Sequence, residues 1–341
     1  MQLDEAPELG LFEVGRAPRV VDERALGLGD GARVQRIAGR FPRRLMPWAA
    51  RLGRSADRWL GGVDVFHQTS PEAVPVRRAR ETFAVSELPA PGSFGDLTLG
   101  ERCKRAAGVL VFAEIVKRTL VERYSVDETK IHQLPVGCDH WRRDLDDALG
   151  QDVRPELATP PKIVALGAMR AARGHSRVIL AAAHLAKEGL PVQIHFVGRL
   201  AQVFTRELTS VLQDKVGVEV TCDEELAELE LARCVAGASV LVHLNEAEAT
   251  PVTPLEALAL GTPVVASRIP CFEEALGDVV TFVDNEAIQP PRLPTVLVPA
   301  LRQAIASAGD PHARQRRIEH AAPYTWEANA RATLGVWQSL V

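Results

Sequence analysis

The segment that decides the fold runs from Glu248 to Ser267 and reads E-A-T-P-V-T-P-L-E-A-L-A-L-G-T-P-V-V-A-S. It passes from a loop into a helix and then, through a turn of small residues, into a buried strand. Thr253 is a candidate N-cap, because Pro254 after it suits the first helical position. Free N–H groups and the positive end of the helix dipole at such a start can bind a phosphate group.

Two glutamates, Glu248 and Glu256, are the chemically informative side chains of this segment. Glu256 follows Thr253 by three residues, so one interpretation is a capping box that closes the helix start. In the other interpretation its carboxylate accepts hydrogen bonds from ribose hydroxyl groups. Capping does not explain Glu248, which can face a cleft and hold sugar hydroxyls or oppose a developing positive charge.

Apolar runs alternate with amphipathic stretches on both sides of this segment. Such alternation of strand and helix produces parallel sheets with helices on both faces. The sequence therefore predicts an α/β fold of two Rossmann-like domains that face a central cleft. The predicted strands are residues 63–67, 82–86, 108–113, 130–134, 162–167, 192–198, 218–221, 239–244, 263–267 and 279–283, and the predicted helices are residues 114–124, 176–188, 203–213, 224–236, 254–260, 296–308 and 325–340.

A polar segment that contains prolines separates the two series of strands, which indicates an interdomain linker. The length of 341 residues suits two domains, since a domain has roughly 100–200 residues. We predict an N-terminal domain at 1–143, a linker at 144–161, a C-terminal domain at 162–322 and a last helix within 323–341 that packs back on the first domain. The first domain is short at its start, where 19–21 and 32–37 are candidate strands and 43–60 is a candidate helix.

The composition excludes several classes of protein. Hydrophobic residues make up 46% and charged residues 25% of the chain, as in a globular protein. The formal charge of −4 argues against a basic nucleic-acid binder. The five cysteines form no C-x-x-C pair, which indicates reduced thiols and a cytoplasmic location.

At this point the chain resembles the family 4 (group 1) retaining glycosyltransferases, which have the GT-B fold. The spacing of Glu248 and Glu256 followed by A-x-A-x-G-x-P-V-V-A-S is similar to the donor-site signature of that family. Four further segments agree with family motifs in order and spacing. They are P-V-G-C-D (135–139), G-A-M-R-A-A-R-G (167–174), D-E-E-L-A-E-L (223–229) and Y-T-W-E-A-N-A-R (324–331).

The resemblance implies transfer of a sugar from a nucleotide diphosphate donor, such as a UDP- or GDP-sugar, to an acceptor with retention of anomeric configuration. The donor would bind the C-terminal domain without a metal ion or other cofactor, and the N-terminal domain would bind a small-molecule, glycan or lipid-linked acceptor. Glu248 and Arg173 would be the catalytic residues. The implied donor-binding residues are Gly167, Arg170, Arg173, Glu248, Ala249, Thr250, Leu255 and Glu256, with the N–H groups of Ala249, Thr250 and Leu255 as donors because Pro251 and Pro254 have none.

The chain departs from the family pattern on both sides of the expected cleft. Ala168 stands where the family has an arginine, and Arg173 replaces its lysine with a guanidinium that suits phosphate oxygens. Arg170 either substitutes for the lost arginine or faces solvent. On the acceptor side, Ser86 and Glu87 stand in place of a family histidine. Glu87 either binds a hydroxyl group or a cationic acceptor, or is a solvated acid of the loop. His67 points to the expected cleft edge, where a structural role is the alternative.

These departures leave room for other functions. A catalytically impaired GT-B relative would keep the fold and nucleotide affinity and act as a scaffold or partner subunit. A nucleotide-sugar epimerase of similar fold would need acid–base residues in the cleft, for which the sequence offers only weak candidates.

Two more sequence patterns are candidates for ligand binding. Residues Arg33 to Arg58 contain eight arginines and one acid, which suits an amphipathic surface for anionic lipid at the inner face of the membrane. An anionic acceptor or a solvated helix would explain the same charges. The D-L-D sequence at 144–146 matches a metal-binding D-x-D motif, but its polar surroundings favour solvated side chains.

Overall fold

The computed structural model describes residues 9–14, 34–39, 55, 57, 62–68, 76–150, 154–169, 171–199, 218–289 and 291–341. The strands are β1 (Leu9–Val14), β2 (Val34–Gly39), β3 (Val65–Gln68), β4 (Arg80–Ala84), β5 (Gly108–Val111), β6 (Ile131–Gln133), β7 (Lys162–Leu166), β8 (Gln193–Val197), β9 (Glu219–Asp223), β10 (Val240–His243), β11 (Val264–Ser267) and β12 (Thr281–Val283). The helices are α1 (Phe94–Arg105), α2 (Glu114–Tyr124), α3 (His140–Leu149), α4 (His175–Lys187), α5 (Glu228–Ala236), α6 (Val252–Ala259), α7 (Pro270–Leu276), α8 (Leu293–Ala306), α9 (Pro311–Ala321) and α10 (Trp326–Leu340).

These strands form parallel sheets, as predicted. The C-terminal half contains a six-stranded sheet of order β12-β11-β10-β7-β8-β9, and the N-terminal half contains a four-stranded sheet of order β3-β4-β5-β6. The first two strands pair with each other, with Leu9 opposite Val34. In a doubly wound sheet the ligand binds at the carboxyl ends of the strands, so the loops after β7, β8 and β10 are candidates for the functional site.

Helices cover both faces of the six-stranded sheet. Helices α4 and α8 pack on one face, where Leu185 and Leu297 are buried with Ile163. Helices α5, α6 and α7 pack on the other face. That second core continues without interruption into the N-terminal half and includes Phe83 and Trp141, so apolar packing joins the two halves.

The last helix lies against the N-terminal half of the chain. The ring of Trp337 is 5.5 Å from that of His67, and a Cβ added to Gly108 would lie 3.4 Å from Leu340. The N–H of Cys138 donates to the carbonyl of Tyr324 just before the helix. These contacts carry the C-terminus away from the large sheet and onto β5.

One strand was missed, and one segment was assigned wrongly. Strand β1 was not predicted, because Gly10 interrupts its apolar run L-G-L-F-E-V. The first part of the supposed linker is helical, since α3 continues to Leu149 and buries Trp141 and Leu145 one turn apart. The strand predicted at 19–21, the helix at 203–213 and most of the helix at 43–60 lie outside the described residues.

Within the described ranges, no helix combines the length and the apolar character that crossing a bilayer requires.

Two arginines, the partly buried Arg154 and the buried Arg317, bind the carboxyl ends of three helices at the amino edge of the six-stranded sheet. Arg154 donates to the carbonyl of Ala236, the last residue of α5, and to the carbonyl of Ala308, just after α8. Arg317 donates to the carbonyls of Gly261, just after α6, and Ser307. Helix ends leave such carbonyls without partners inside the helix. Burial, together with a neighbouring guanidinium, lowers the pKa of each arginine to about 10.

We predict that Arg317→Met lowers the free energy of unfolding by about 1–3 kcal/mol, because the buried carbonyl of Gly261 loses its donor. Urea denaturation measures the change. Arg316→Met is the matched control, since Arg316 is exposed and its ion pair with Asp278 spans 3.4 Å; it should change stability by less than about 0.5 kcal/mol. Equal effects of the two substitutions would contradict the assignment.

Candidate active site

Two glycines shape the carboxyl edge of the six-stranded sheet. Gly167 follows β7 with φ 97°, and Gly198 follows β8 with φ 147°, a region that side chains other than glycine rarely enter. The N–H of Gly167 donates to the carbonyl of Val197 at 2.7 Å. A Cβ on Gly198 would overlap the carbonyl group of Gly167, so these two turns are packed backbone against backbone.

The side chain of Arg173 lies across Gly167. A Cβ on Gly167 would overlap the Nη1 atom of Arg173, so the missing side chain leaves the space that the guanidinium occupies. Arg173 ends a short 3-10 helix, Ala171–Arg173. The carbonyl of Ala172 accepts a hydrogen bond from the N–H of Glu246 at 3.1 Å. The cation is thereby held beside the loop that carries Glu248.

Two side chains that the sequence did not single out orient Glu248. Nε2 of His243 lies 2.7 Å from its Oε2 atom, and Nδ2 of Asn245 donates to the same oxygen at 2.9 Å. His243 is buried, with its ring 5.4 Å from that of Phe272. A histidine at the carboxyl end of the otherwise apolar strand V-L-V-H was the available sequence signal. Glu248 itself keeps 22% of its side chain exposed, so the carboxylate is oriented but still reachable.

The capping-box interpretation of Glu256 was wrong. Helix α6 begins at Val252 after Pro251, which is the N-cap, so Glu256 lies in the second turn. The N–H of Leu255 donates to the carbonyl of Pro251 at 3.2 Å and is therefore not free for a ligand, contrary to expectation. The N–H groups of Val252 and Thr253 lie in the first turn, where the helix itself offers them no carbonyl acceptor.

Glu256 instead faces the N-terminal half of the chain. Its Oε1 atom lies 3.5 Å from Nε2 of His140, at the start of α3, and a carboxylate oxygen of Glu228 lies 4.0 Å from the same nitrogen. Burial, and then the charge of Glu228, raises the pKa of Glu256 to about 8. At neutral pH most of this carboxyl group is therefore protonated.

The acceptor-side predictions fare differently. Ser86 and Glu87 are exposed just after β4, at the carboxyl edge of the N-terminal sheet. His67 packs between β4 and α10, with Nδ1 3.0 Å from the hydroxyl of Thr82. Burial, and then the charge of Arg102, lowers the pKa of His67 to about 4. These surroundings favour the structural alternative for His67.

Arg170 and most of Arg33–Arg58 lie outside the described residues. Asp144 and Asp146 of the D-L-D sequence lie in α3, and Asp146 pairs with Arg142 at 3.5 Å. Across the described part of the chain, no group of three or more His, Cys, Asp or Glu side chains is arranged to hold a metal ion.

Glu274 was not predicted, and it joins the two halves of the chain. Both of its carboxylate oxygens accept a hydrogen bond from the N–H of Glu114, at 2.8 Å each. Gln133 donates to the same carboxylate at 2.8 Å. Ala113, the N-cap of α2, has no side-chain acceptor, so a carboxylate from α7 caps a helix of the other half.

Solved structures show the same class of fold. Sucrose-phosphate synthase from Thermosynechococcus elongatus superposes with a TM-score of 0.70 at 16% identity, over 98% of this chain and 89% of that one. Anabaena HepE in complex with UDP-glucose superposes with a TM-score of 0.66 at 15% identity, over 89% and 85%. The protein thus has the GT-B glycosyltransferase fold.

The family follows from the sequence match. The family model described as "Glycosyl transferases group 1" matches residues 151–322, about half of the chain, and the chain belongs to this family. It is 25% identical to a D-inositol 3-phosphate glycosyltransferase of Segniliparus rotundus over 232 residues, which is 64% of this chain and 49% of that protein. The chain thus spans about half the length of that relative.

We predict that Glu256→Gln removes a pH dependence of stability. Between the ordinary pKa of a glutamate and about 8, the folded state binds more protons than the unfolded state, so the wild-type free energy of unfolding falls as pH rises. The loss from pH 5 to 8 is up to about 4 kcal/mol. Urea denaturation at several pH values measures it.

The glutamine variant should lack this loss. Its free energy of unfolding should therefore rise relative to that of the wild type as pH rises. Glu319→Gln, at an exposed position of α9, is the control and should follow the wild-type curve. Parallel curves for wild type and Glu256→Gln would refute the raised pKa.

We predict that Glu274→Ala lowers the free energy of unfolding by about 1 kcal/mol, because α2 loses its capping carboxylate. Glu273→Ala is the neighbouring control, since Glu273 pairs with the exposed Arg268 and contributes little. Thermal unfolding of both variants makes the comparison. A larger loss for Glu273→Ala would rule out the cap.

Proposed function

We propose that this protein is a family 4 enzyme that transfers a sugar from a nucleoside diphosphate sugar to an acceptor hydroxyl group, with retention of anomeric configuration. One observation carries the proposal. The guanidinium of Arg173 lies over Gly167, in a loop that is hydrogen-bonded to the one bearing Glu248. A cation and a sugar-binding carboxylate thus share the carboxyl edge of the sheet, where a parallel α/β sheet binds ligands.

Each group has a role that suits its chemistry. Arg173 binds the diphosphate, because its planar fork matches phosphate oxygens. The free N–H groups of Val252 and Thr253, at the positive end of the α6 dipole, add to that site. Glu248 accepts hydrogen bonds from the donor sugar while His243 holds it in place. Glu256 binds the ribose, and the backbone of Ala249 and Thr250 meets the sugar.

The reaction breaks the bond between the anomeric carbon and the diphosphate oxygen. The leaving diphosphate takes the electron pair, and Arg173 with the α6 N-terminus stabilises its charge. The acceptor oxygen bonds to the anomeric carbon from the same face and gives its proton to the leaving phosphate. Glu248 opposes the positive charge that develops on the sugar ring. In this proposal no metal ion or other cofactor takes part.

The comparisons support the substrate class. HepE was solved with UDP-glucose, and the Segniliparus relative is named a D-inositol 3-phosphate glycosyltransferase. We therefore propose a UDP- or GDP-sugar donor and a hydroxylated small-molecule, glycan or lipid-linked acceptor. Exposed Ser86 and Glu87, at the edge of the N-terminal sheet, are suitably placed to contact it. We propose a cytoplasmic enzyme that reaches the inner membrane face through Arg33–Arg58 when its acceptor is lipid-linked.

We predict that Glu248→Gln and Arg173→Ala each lower donor turnover by at least about 100-fold, since each removes a charge that the transition state uses. Release of UDP from UDP-glucose, or of GDP from GDP-mannose, measures turnover without knowledge of the acceptor. Glu246→Gln is the same-loop control, because Glu246 pairs with Arg177 at 3.0 Å and takes no part in the proposed chemistry. Equal turnover in all variants would sink the site assignment.

Thermal shifts with UDP, GDP, ADP and TDP separate this enzyme from a catalytically impaired relative. A nucleotide at ~100 times its dissociation constant adds ~2.7 kcal/mol of stability. Stabilisation without any donor turnover in the wild type would favour the scaffold function.

A further inference from the structure

A cysteine, a histidine and an aspartate form a hydrogen-bonded chain in the C-terminal half that includes none of the proposed catalytic residues. The thiol of Cys234, in α5, lies 3.2 Å from Nδ1 of His195, in β8. Nε2 of the same imidazole lies 2.7 Å from a carboxylate oxygen of Asp223, at the end of β9. Each ring nitrogen therefore has its own partner, which fixes the orientation and the tautomer of the ring.

This order of groups is the one that activates a nucleophile. A thiol beside an imidazole can pass its proton to the ring, and a carboxylate on the far nitrogen stabilises the resulting imidazolium. Such a pair converts a weakly nucleophilic thiol into a thiolate, the species that attacks electrophiles. The proposed sugar transfer uses none of these three side chains.

The surroundings of Cys234 oppose the loss of its thiol proton, so the thiol needs the imidazole in order to react. Burial raises the pKa of its thiol, the charge of Lys162 lowers it, and the charge of Asp223 raises it. A proton acceptor in contact with the sulfur is the means by which such a thiol can react. Cys234 is only partly buried, unlike Cys103, Cys138 and Cys271, so part of the residue is open to solvent.

The chain contains its own control. Cys222, in β9, is also partly buried and free, and burial followed by the charge of Asp223 raises the pKa of its thiol as well. Of these two cysteines, Cys234 is the one with a hydrogen bond to an imidazole among the described residues. A difference in reactivity between these two thiols therefore reports on His195.

We propose that Cys234 is a reactive thiol that forms mixed disulfides with low-molecular-weight disulfides, activated by His195 and Asp223. In this step the thiol proton moves to Nδ1 of His195, and the sulfur attacks one sulfur of the reagent. A new S–S bond forms, the S–S bond of the reagent breaks, and the leaving thiolate takes the electron pair. The proton then passes from the imidazolium to the leaving thiolate or to solvent. The site does not depend on the proposed sugar transfer.

The test is the rate of modification by the neutral reagent 4,4′-dithiodipyridine on the full chain. Absorbance of the released thiopyridone gives the rate, and mass spectrometry of quenched, digested samples assigns it to Cys234 or Cys222. We expect Cys234 to react at least about tenfold faster than Cys222, and Cys234→Ser to remove the fast phase. In His195→Gln, the Cys234 rate should fall to within about twofold of the Cys222 rate, while the Cys222 rate stays unchanged.

Asp223→Asn supplies a second variant, because it keeps a side chain of the same shape and should slow Cys234 by about threefold. Circular dichroism and the melting temperature establish that each variant is folded. A Cys222 rate equal to or above that of Cys234 in the wild type overturns the proposal. So does a Cys234 rate that neither the His195 nor the Asp223 substitution lowers.

Discussion

The close approach of Gly167 and Gly198 is the constraint on which the carboxyl edge of the large sheet depends. The two residues end adjacent parallel strands, and a Cβ on Gly198 would overlap the carbonyl group of its neighbour. Because the two backbones touch, the loop after β7 lies close to the edge of the sheet. The side chain of Arg173 can therefore pass over Gly167. That loop in turn bonds to the one after β10. A larger side chain at Gly167 would displace the guanidinium of Arg173, and one at Gly198 would push the two backbones apart.

A second set of contacts joins the two halves of the molecule at this edge. Glu274 of α7 caps α2, and the N–H of Trp326 donates to a carboxylate oxygen of Asp139 at 2.8 Å. Glu256 and His140 meet nearby across the same junction. These polar contacts lie beside a continuous apolar core. The polar contacts, which need defined geometry, fix how the halves are aligned.

The sequence was sufficient for the fold because its signals are local. Helix α2 was predicted with the bounds Glu114–Tyr124 that the structure has, since its apolar positions repeat at helical spacing. The error at α3 has a physical reason: its acidic residues suggested a linker, while Trp141 and Leu145, one turn apart, decide the structure. Gly10 concealed β1 in a similar way, because a glycine weakens the apolar signal of a short strand.

The candidate site could be predicted only in part, because its chemistry depends on residues that are distant in sequence. The spacing of Glu248 and Glu256 pointed to the loop after β10 and to helix α6, where the structure places these two residues. The raised pKa of Glu256 depends on burial and on Glu228, which the spacing does not contain. The partners His243 and Asn245 of Glu248 are close in sequence, but only the fold shows that they converge on one oxygen.

The buried carboxyl group of Glu256 has a consequence for the proposed donor. A ribose hydroxyl donates its proton, so it binds better to a carboxylate than to a neutral carboxyl group. If Glu256 binds the ribose as proposed, binding of the nucleoside at neutral pH draws the group toward its ionised form, because burial and then the charge of Glu228 raise the pKa of Glu256 to about 8. By linkage, the donor then lowers that pKa and releases a proton, and its affinity rises with pH. The same burial that weakens the free protein at high pH thus lowers the affinity of the proposed donor at neutral pH.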